Sequence, residues 1–207
     1  MQHELPNQRM AALLDALDQT DKAVVRRAVE QLVALAADEP EVAEVLAQRL
    51  REAPRWPVAY ALGQVARPSA ACLEVLEWGL GSGDQDLRWA TQLLLTDLGK
   101  RYPEVEARLE DLLRHGTPTQ RRMAVYCLRD VGAAGAGLPA AVLHAIADPE
   151  PLVRVAVATT LAKESGIGPE GLEALGKAAA DDPDVRVRNA AAFAVKRFSE
   201  AGGRYRS

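Results

Sequence analysis

The sequence predicts an all-α solenoid of about six similar helix pairs. Five arginines recur 33, 33, 33 and 34 residues apart, namely Arg55, Arg88, Arg121, Arg154 and Arg188. A nearly constant period of this length is typical of repeat proteins, in which each unit buries its apolar face only against its neighbours. Around each arginine, apolar residues recur at spacings of three and four, which places them on one stripe of an α-helix. No strand pattern competes.

Prolines predict where the helices begin, because the first helical turn does not need the N–H that proline lacks. The first helix of each pair opens at Pro6, Pro40, Pro68, Pro103, Pro139 and Pro169. Thr117-Pro118, Asp148-Pro149 and Asp182-Pro183 give three of the arginine-bearing helices a similar start with a capping oxygen. The predicted pairs are 6–36, 40–66, 68–99, 102–132, 138–164 and 168–199. We expect one elongated domain over residues 1–207, with a flexible tail at 200–207.

The apolar stripe is least regular in the first two units. In the first unit Val25 takes the arginine position, and such irregularity is expected of a terminal repeat. The second unit fits the pattern except at Pro54. From the second unit to the sixth, the residues at the predicted stripe positions are Val58, Ala61, Leu62 and Val65; Leu87, Thr91, Leu94, Leu95 and Leu98; Ala124, Cys127, Leu128 and Val131; Val153, Val157, Thr160, Leu161 and Glu164; and Val187, Ala191, Ala194, Val195 and Phe198.

Two segments carry a family resemblance. Residues 148–154 read Asp-Pro-Glu-Pro-Leu-Val-Arg and residues 182–188 read Asp-Pro-Asp-Val-Arg-Val-Arg, each followed by small and branched apolar residues. They resemble HEAT repeats of the short bacterial, PBS-lyase type, and the resemblance covers nearly the whole chain. It implies a right-handed α-α superhelix in which the five arginines form a structural ladder. Each would bond loop carbonyls or an acid such as Asp148 or Asp182, and a ligand-binding role is the alternative.

A second set of residues lies opposite the core stripe, on the face that the resemblance implies is concave. We call it the aromatic–basic surface, and it consists of Trp56, Tyr60, Arg67, Trp89, Leu93, Lys100, Arg122, Tyr126 and Arg129. Exposed aromatic rings beside arginines are typical of binding hot spots. This surface is the predicted partner-binding site. The alternative is that the rings only pack between repeats.

Charge favours a protein partner over a nucleic acid. The net charge is −4, so the chain as a whole does not attract nucleic acid or an anionic membrane. The outward positions are nevertheless locally basic, which suits an acidic protein or peptide segment. A nucleic-acid-binding HEAT-like protein is the alternative, since aromatic rings can also stack on bases. A glycosylase of this fold would carry an acid one turn beyond a tryptophan, where this sequence has Tyr60 and Leu93.

No residue pattern indicates catalysis. His3, His115 and His144 are isolated, so we expect no metal site and no cofactor. Cys72 and Cys127 are expected to be buried thiols. The sequence lacks a membrane-spanning apolar run and a signal-peptide pattern. These observations predict a non-catalytic, cytoplasmic bacterial scaffold whose oligomeric state is open.

Overall fold

The computed structural model describes residues 4–132, 138–164 and 167–203. Over these ranges the chain forms twelve α-helices and one 3-10 helix, Ala145–Ala147, with no strand. The α-helices are α1 Glu4–Ala16, α2 Lys22–Leu35, α3 Glu41–Glu52, α4 Trp56–Val65, α5 Ala70–Leu80, α6 Gln85–Arg101, α7 Pro103–His115, α8 Pro118–Gly132, α9 Ala140–His144, α10 Pro151–Leu161, α11 Gly168–Asp181 and α12 Val185–Gly203. The predicted all-α fold of six helix pairs is confirmed.

Contacts divide the chain into two compact units, Met1–Leu94 and Leu95–Ser207. In the first unit α1 packs on α2, α2 on α4, and both α3 and α5 on α4. In the second unit α7 packs on α8 and α11 on α12, while α8, α10 and α12 pack in succession. The second helix of one pair therefore stacks on the second helix of the next, which is the arrangement of an α-solenoid.

The predicted apolar stripe forms the core within the described residues. Nearly all of its members are buried, including Leu62, Leu95, Leu128, Leu161 and Ala194. Five members at the ends of the stripe remain partly exposed: Val65, Leu87, Glu164, Val195 and Phe198. The stripe buries aliphatic side chains against the neighbouring helices, and this burial stabilises the stack.

Two connections differ from the regular pattern. The first helix of the fifth pair is short, because Pro139 and Pro149 leave few residues between them and the chain closes with the 3-10 helix. The glycine-rich connection before it falls on residues 133–137, outside the described residues. Of the expected tail, residues 200–203 continue α12, and residues 204–207 lie outside the described residues.

Gly79 allows a close approach of three helices in the first unit. A Cβ atom built on this residue would lie 2.7 Å from Thr91 Oγ1 and 2.8 Å from Trp56 Cδ1. We therefore expect Gly79→Ala to destabilise the chain by about 1–3 kcal/mol, as overpacking does. Gly176→Ala is the matched control, because the added methyl meets nothing within 4 Å and alanine favours a helix. Urea unfolding of both variants checks this, and equal shifts would contradict the close packing.

Candidate functional site

Two ladder arginines bind the repeat that follows them. Arg121 donates from Nε and Nη2 to the two carboxylate oxygens of Asp148, at 2.7 and 2.8 Å, and from Nη1 to the Gly116 carbonyl at 2.9 Å. Arg154 binds Asp182 in the same way, at 2.7 and 2.8 Å, and donates to the Asp148 carbonyl at 2.8 Å. Each guanidinium thus joins the loop of its own repeat to an acid of the next.

The two aspartates also shape the loops that precede α10 and α12. Asp148 Oδ1 accepts the backbone N–H of Glu150 at 2.8 Å, and Asp182 Oδ1 accepts that of Asp184 at 2.9 Å. Only 6% and 7% of these aspartate side chains are exposed. The hydrogen bonds from Arg154 hold the pKa of Asp182 below its ordinary value, and the same contact raises the pKa of Arg154. These buried, mutually satisfied pairs favour a structural role over ligand binding.

The other three ladder arginines make different contacts. Arg55 is half-exposed and donates to Asp18 of the first repeat at 2.8 Å, an acid that it shares with Arg49. Arg88 donates to the Ser82 carbonyl. Arg188 donates from Nη1 to the carbonyls of Asp182 and Pro183, at 2.7 and 3.2 Å. From Arg88 onward, each ladder arginine therefore donates to a carbonyl in the loop of its own repeat. Arg121 and Arg154 also bind a buried carboxylate.

Trp89 and Leu93 are the exposed apolar residues of the aromatic–basic surface in the first unit. They stand one turn apart on α6, and 63% of Trp89 and 49% of Leu93 is exposed. Thr91, Leu94 and Leu95, on the opposite side of the same helix, are buried. The helix therefore separates a packed face from a face that presents two large apolar side chains to solvent.

Trp56, which the sequence puts at the same repeat position as Trp89, sits in a packed seam. Its Nε1 donates to Thr91 Oγ1 at 2.8 Å, and its ring stacks on Tyr60 with centroids 4.6 Å apart. Both side chains are partly buried, and burial raises the pKa of Tyr60. Trp56 thus packs against α5 and α6, as expected if the aromatic rings serve to pack neighbouring repeats. Its indole offers a partner less exposed surface than that of Trp89.

In the second unit, Tyr126 and Arg129 lie together, with the guanidinium carbon 5.3 Å from the ring centroid. Arg129 also binds Asp130 at 2.6 and 3.0 Å, and this contact raises the pKa of the arginine. Arg122 is partly buried, and its Nε has no hydrogen-bond partner among the described residues. Lys100 is exposed, as is Arg67 in the first unit. Because Asp130 balances Arg129, the surface is less basic than the sequence positions suggest.

Trp78 was not among the predicted site residues, yet 62% of it is exposed. It lies on α5, opposite the buried stripe of Cys72, Leu73 and Leu76. The signal was available in the sequence, because a tryptophan about half a turn away from a regular apolar stripe must face outward. Exposed Trp78 provides a natural comparison for Trp89.

The described residues offer little reactive chemistry. Cys72 and Cys127 are buried thiols that form no disulfide, and burial raises the pKa of each to about 12. Over the described ranges, no three His, Cys, Asp or Glu side chains are grouped as metal ligands. An open cleft of about 430 Å³ between the 3-10 helix and α11 is lined partly by Asp148, Arg154 and Asp182, which already bond one another. None of the described helices is long and apolar enough to cross a membrane.

The comparisons with known proteins identify the repeats. Residues 121–196, which contain Arg121, Arg154 and Arg188, match the family model for HEAT repeats. No curated protein matches the sequence. One similar solved structure is an engineered protein from the Northeast Structural Genomics Consortium, with 19% identity over 93% of this chain and 97% of that chain and a TM-score of 0.46. Another is human deoxyhypusine hydroxylase in complex with glycerol, with 22% identity, coverage of 92% and 74%, and a TM-score of 0.45. The segment of the chain from residue 121 to residue 196 is therefore similar to HEAT repeats.

Proposed function

We propose that this protein is a non-catalytic interaction scaffold that binds a protein or peptide segment on the face of α6 that carries Trp89 and Leu93. The observation that carries the proposal is the exposure of these two large apolar side chains one turn apart. When a partner covers neighbouring apolar side chains that were exposed to water, the free energy falls and the complex is stabilised. Tryptophan contributes most often to such hot spots because it buries a large area with few rotatable bonds. The HEAT-repeat fold supports an interaction role.

The basic residues suit a partner segment that combines an apolar anchor with acidic neighbours. Lys100 is exposed on α6, the helix that carries Trp89. Arg67 is exposed in the first unit, and Arg122 in the second carries a buried Nε without a described hydrogen-bond partner. Tyr126 is held against Arg129, which presents an already ordered ring and cation. In this proposal the apolar pair of the first unit supplies most of the affinity, and the exposed basic residues of each unit attract an acidic partner.

A pair of tryptophan variants tests this function. We expect Trp89→Ala to weaken partner binding by at least about 2 kcal/mol, or roughly 30-fold, as loss of a hot spot does. Trp78→Ala is the matched control, because that indole is equally exposed on another helix. Proteins captured from the source cell by the unmodified chain and by each variant, with and without nuclease, are quantified by mass spectrometry. The affinity of each specific partner is then measured by calorimetry.

Two results would contradict the proposal. One is a set of captured proteins that Trp89→Ala and Trp78→Ala reduce equally. The other is a large loss of thermal stability in Trp89→Ala, which would mean that the residue packs rather than binds.

A nucleic-acid partner is the alternative function, and the salt dependence of binding distinguishes it. If Arg67, Lys100, Arg122, Arg129 and Lys196 contacted four or five phosphates, log affinity would fall with log salt at a slope of roughly −3 to −4. Binding by aromatic burial is screened far less. Because Asp130 neutralises Arg129, we expect no complex tighter than about 10 µM at physiological salt. Filter binding with single- and double-stranded DNA and RNA checks this, and a submicromolar, steeply salt-dependent complex would favour the alternative.

A further inference from the structure

The guanidinium of Arg122 has no bonding partner in the part of the chain that the structure describes. Arg122 lies on α8, opposite the buried stripe that contains Ala124, Cys127 and Leu128. Its Nε is buried and donates to no acceptor there. The residue as a whole is partly exposed, so its accessible donors are the terminal Nη1 and Nη2 atoms. A buried donor without an acceptor raises the free energy of the folded chain.

The helices around Arg122 explain why its charge is not balanced. Helix α8 packs on α7 and α10, and α10 contains no aspartate or glutamate. The one acid of α8 is Asp130, which binds Arg129 at 2.6 and 3.0 Å. No acid of α7 forms a hydrogen bond or an ion pair with Arg122 among the described contacts. A carboxylate for this guanidinium therefore has to come from another molecule.

Other arginines of the second unit do have such a carboxylate. Six of them bind an aspartate or a glutamate, namely Arg101, Arg114, Arg121, Arg129, Arg154 and Arg186. Exposed and buried arginines are both included, so the unpaired state of Arg122 does not follow from its partial burial. A residue that lowers stability and bonds nothing in the free protein is typical of a functional site, because the fold alone gains nothing from it.

We propose that Arg122 binds the carboxylate of an aspartate or glutamate side chain of the partner protein, end-on, through Nη1 and Nη2. This inference rests on the proposed function as a protein-binding scaffold, and it concerns the second unit alone. Such a pair forms two charge-assisted hydrogen bonds, which are stronger than neutral ones. Tyr126 lies one turn further along α8, and Arg129 holds its ring with 5.3 Å between guanidinium carbon and ring centroid. That ring offers an apolar surface to the methylene groups of the acidic side chain.

The local charge favours a protein carboxylate over a nucleic acid. Asp130 balances Arg129, so Arg122 is left as the unpaired cation among the described arginines of α8. One guanidinium matches one carboxylate, whereas a nucleic acid presents a row of phosphates and is bound by several cations together.

Thermal unfolding tests whether the guanidinium is unpaired in the free protein. Arg122→Met removes the charge and the buried donor while it keeps an unbranched apolar stem. We expect the midpoint of unfolding to rise by about 2–4 °C. Arg129→Met on the same helix should lower the midpoint, because Asp130 then loses two hydrogen bonds. A lower midpoint in Arg122→Met as well would show that Arg122 stabilises the fold, and it would overturn the proposal.

A tetra-glutamate peptide with blocked ends serves as the binding probe, because the partner is unidentified. The Nε hydrogen of Arg122 is covered by the protein, so it should exchange slowly enough with water for its NMR signal to be followed. Its signal is assigned as the one that Arg122→Met removes. At low salt we expect the glutamate peptide to shift this signal and the backbone amides around Tyr126 in a saturable way. The matching tetra-glutamine peptide should shift neither.

The affinity of the glutamate peptide for three variants decides the assignment. Arg122→Met should weaken binding at least about tenfold, since both hydrogen bonds and the charge are lost. Arg122→Lys should weaken it less, because lysine keeps the charge but not the planar fork. Arg114→Met is the matched control: it removes the same charge from an exposed residue of α7 and should leave the affinity within about twofold. Equal losses in Arg114→Met and Arg122→Met would indicate general charge attraction and would overturn the proposal.

Two further results separate this inference from its alternatives. A thymidine oligonucleotide that binds at Arg122 more tightly than the glutamate peptide would overturn the assignment to a protein carboxylate. Failure of the Arg122 measurements would leave the site at Trp89 and Leu93 standing, because capture with Trp89→Ala tests that site by itself. Conversely, a lack of effect of Trp89→Ala would contradict the proposed function without changing how the peptide binds at Arg122.

Discussion

Replacing Arg154 with alanine should lower the free energy of unfolding by about 3–5 kcal/mol at neutral pH, the cost of removing one member of a buried ion pair. Arg154 and Asp182 are joined by two hydrogen bonds, and 10% and 7% of their side chains are exposed. Without the guanidinium, the Asp182 carboxylate stays buried and keeps the single N–H of Asp184. The carbonyls of Asp148 and Pro149 lose a donor as well.

Arg186→Ala is the matched control for this prediction. Arg186 also binds an aspartate, Asp184 at 2.7 Å, but its side chain is largely exposed. Water screens an exposed ion pair and it contributes little to stability, so the control should change the free energy of unfolding little. Urea unfolding gives the free energies, and hydrogen exchange of α10 and α12 shows whether the sixth repeat opens alone, as repeats can. Similar losses for Arg154→Ala and Arg186→Ala would mean that burial does not distinguish the two pairs.

The pH dependence of stability should report the same contact. Since Arg154 lowers the pKa of Asp182, the unfolded chain binds more protons than the folded chain as the pH falls through the ordinary aspartate range. The stabilisation is therefore complete above the unfolded pKa and is lost as the pH approaches the lower folded value. Unfolding measured between pH 6 and about pH 3 should show a steeper decline for the unmodified chain than for Asp182→Asn.

The arginine ladder shows how much of this fold can be predicted from sequence. A period of 33 or 34 residues with Asp-Pro six and five places before Arg154 and Arg188 is a local pattern, and the helix pairs follow from it. The acids Asp148 and Asp182 could also be named in advance, because few other groups can satisfy a guanidinium at a buried margin. The unequal contacts of Arg55 and Arg88 could not, since they depend on loops whose sequences differ between repeats.

Trp56 and Trp89 show that the repeat pattern does not predict how exposed a side chain is. Trp56 and Trp89 follow Arg55 and Arg88 directly, so the repeat pattern assigns them the same outward position. Trp56 lies in a seam because Gly79 has no side chain and Thr91 offers a hydroxyl acceptor at 2.8 Å. These two residues belong to the next repeat, about 23 and 35 positions along the chain. A position in a repeat predicts the direction of a side chain, whereas its exposure depends on what the neighbouring repeat presents.

Leu128→Ala should destabilise the chain by about 2–5 kcal/mol, through lost apolar burial and the cavity that remains. Leu128 is fully buried on α8, which packs on both α7 and α10. A gap there affects the contact inside the fourth repeat and the contact with the fifth. Close packing in a stack of aliphatic side chains leaves little room for the neighbours to fill the gap.

Leu93→Ala is the control, because it removes the same atoms from a side chain that is 49% exposed on α6. We expect a loss below about 1 kcal/mol, within the range of surface substitutions. Leu128→Met should also cost less than about 1.5 kcal/mol, since it conserves volume. Urea unfolding of the three variants separates the two faces. If Leu93→Ala were as damaging as Leu128→Ala, the exposed face of α6 would be a packing surface, and the proposed binding site at Trp89 and Leu93 would be wrong.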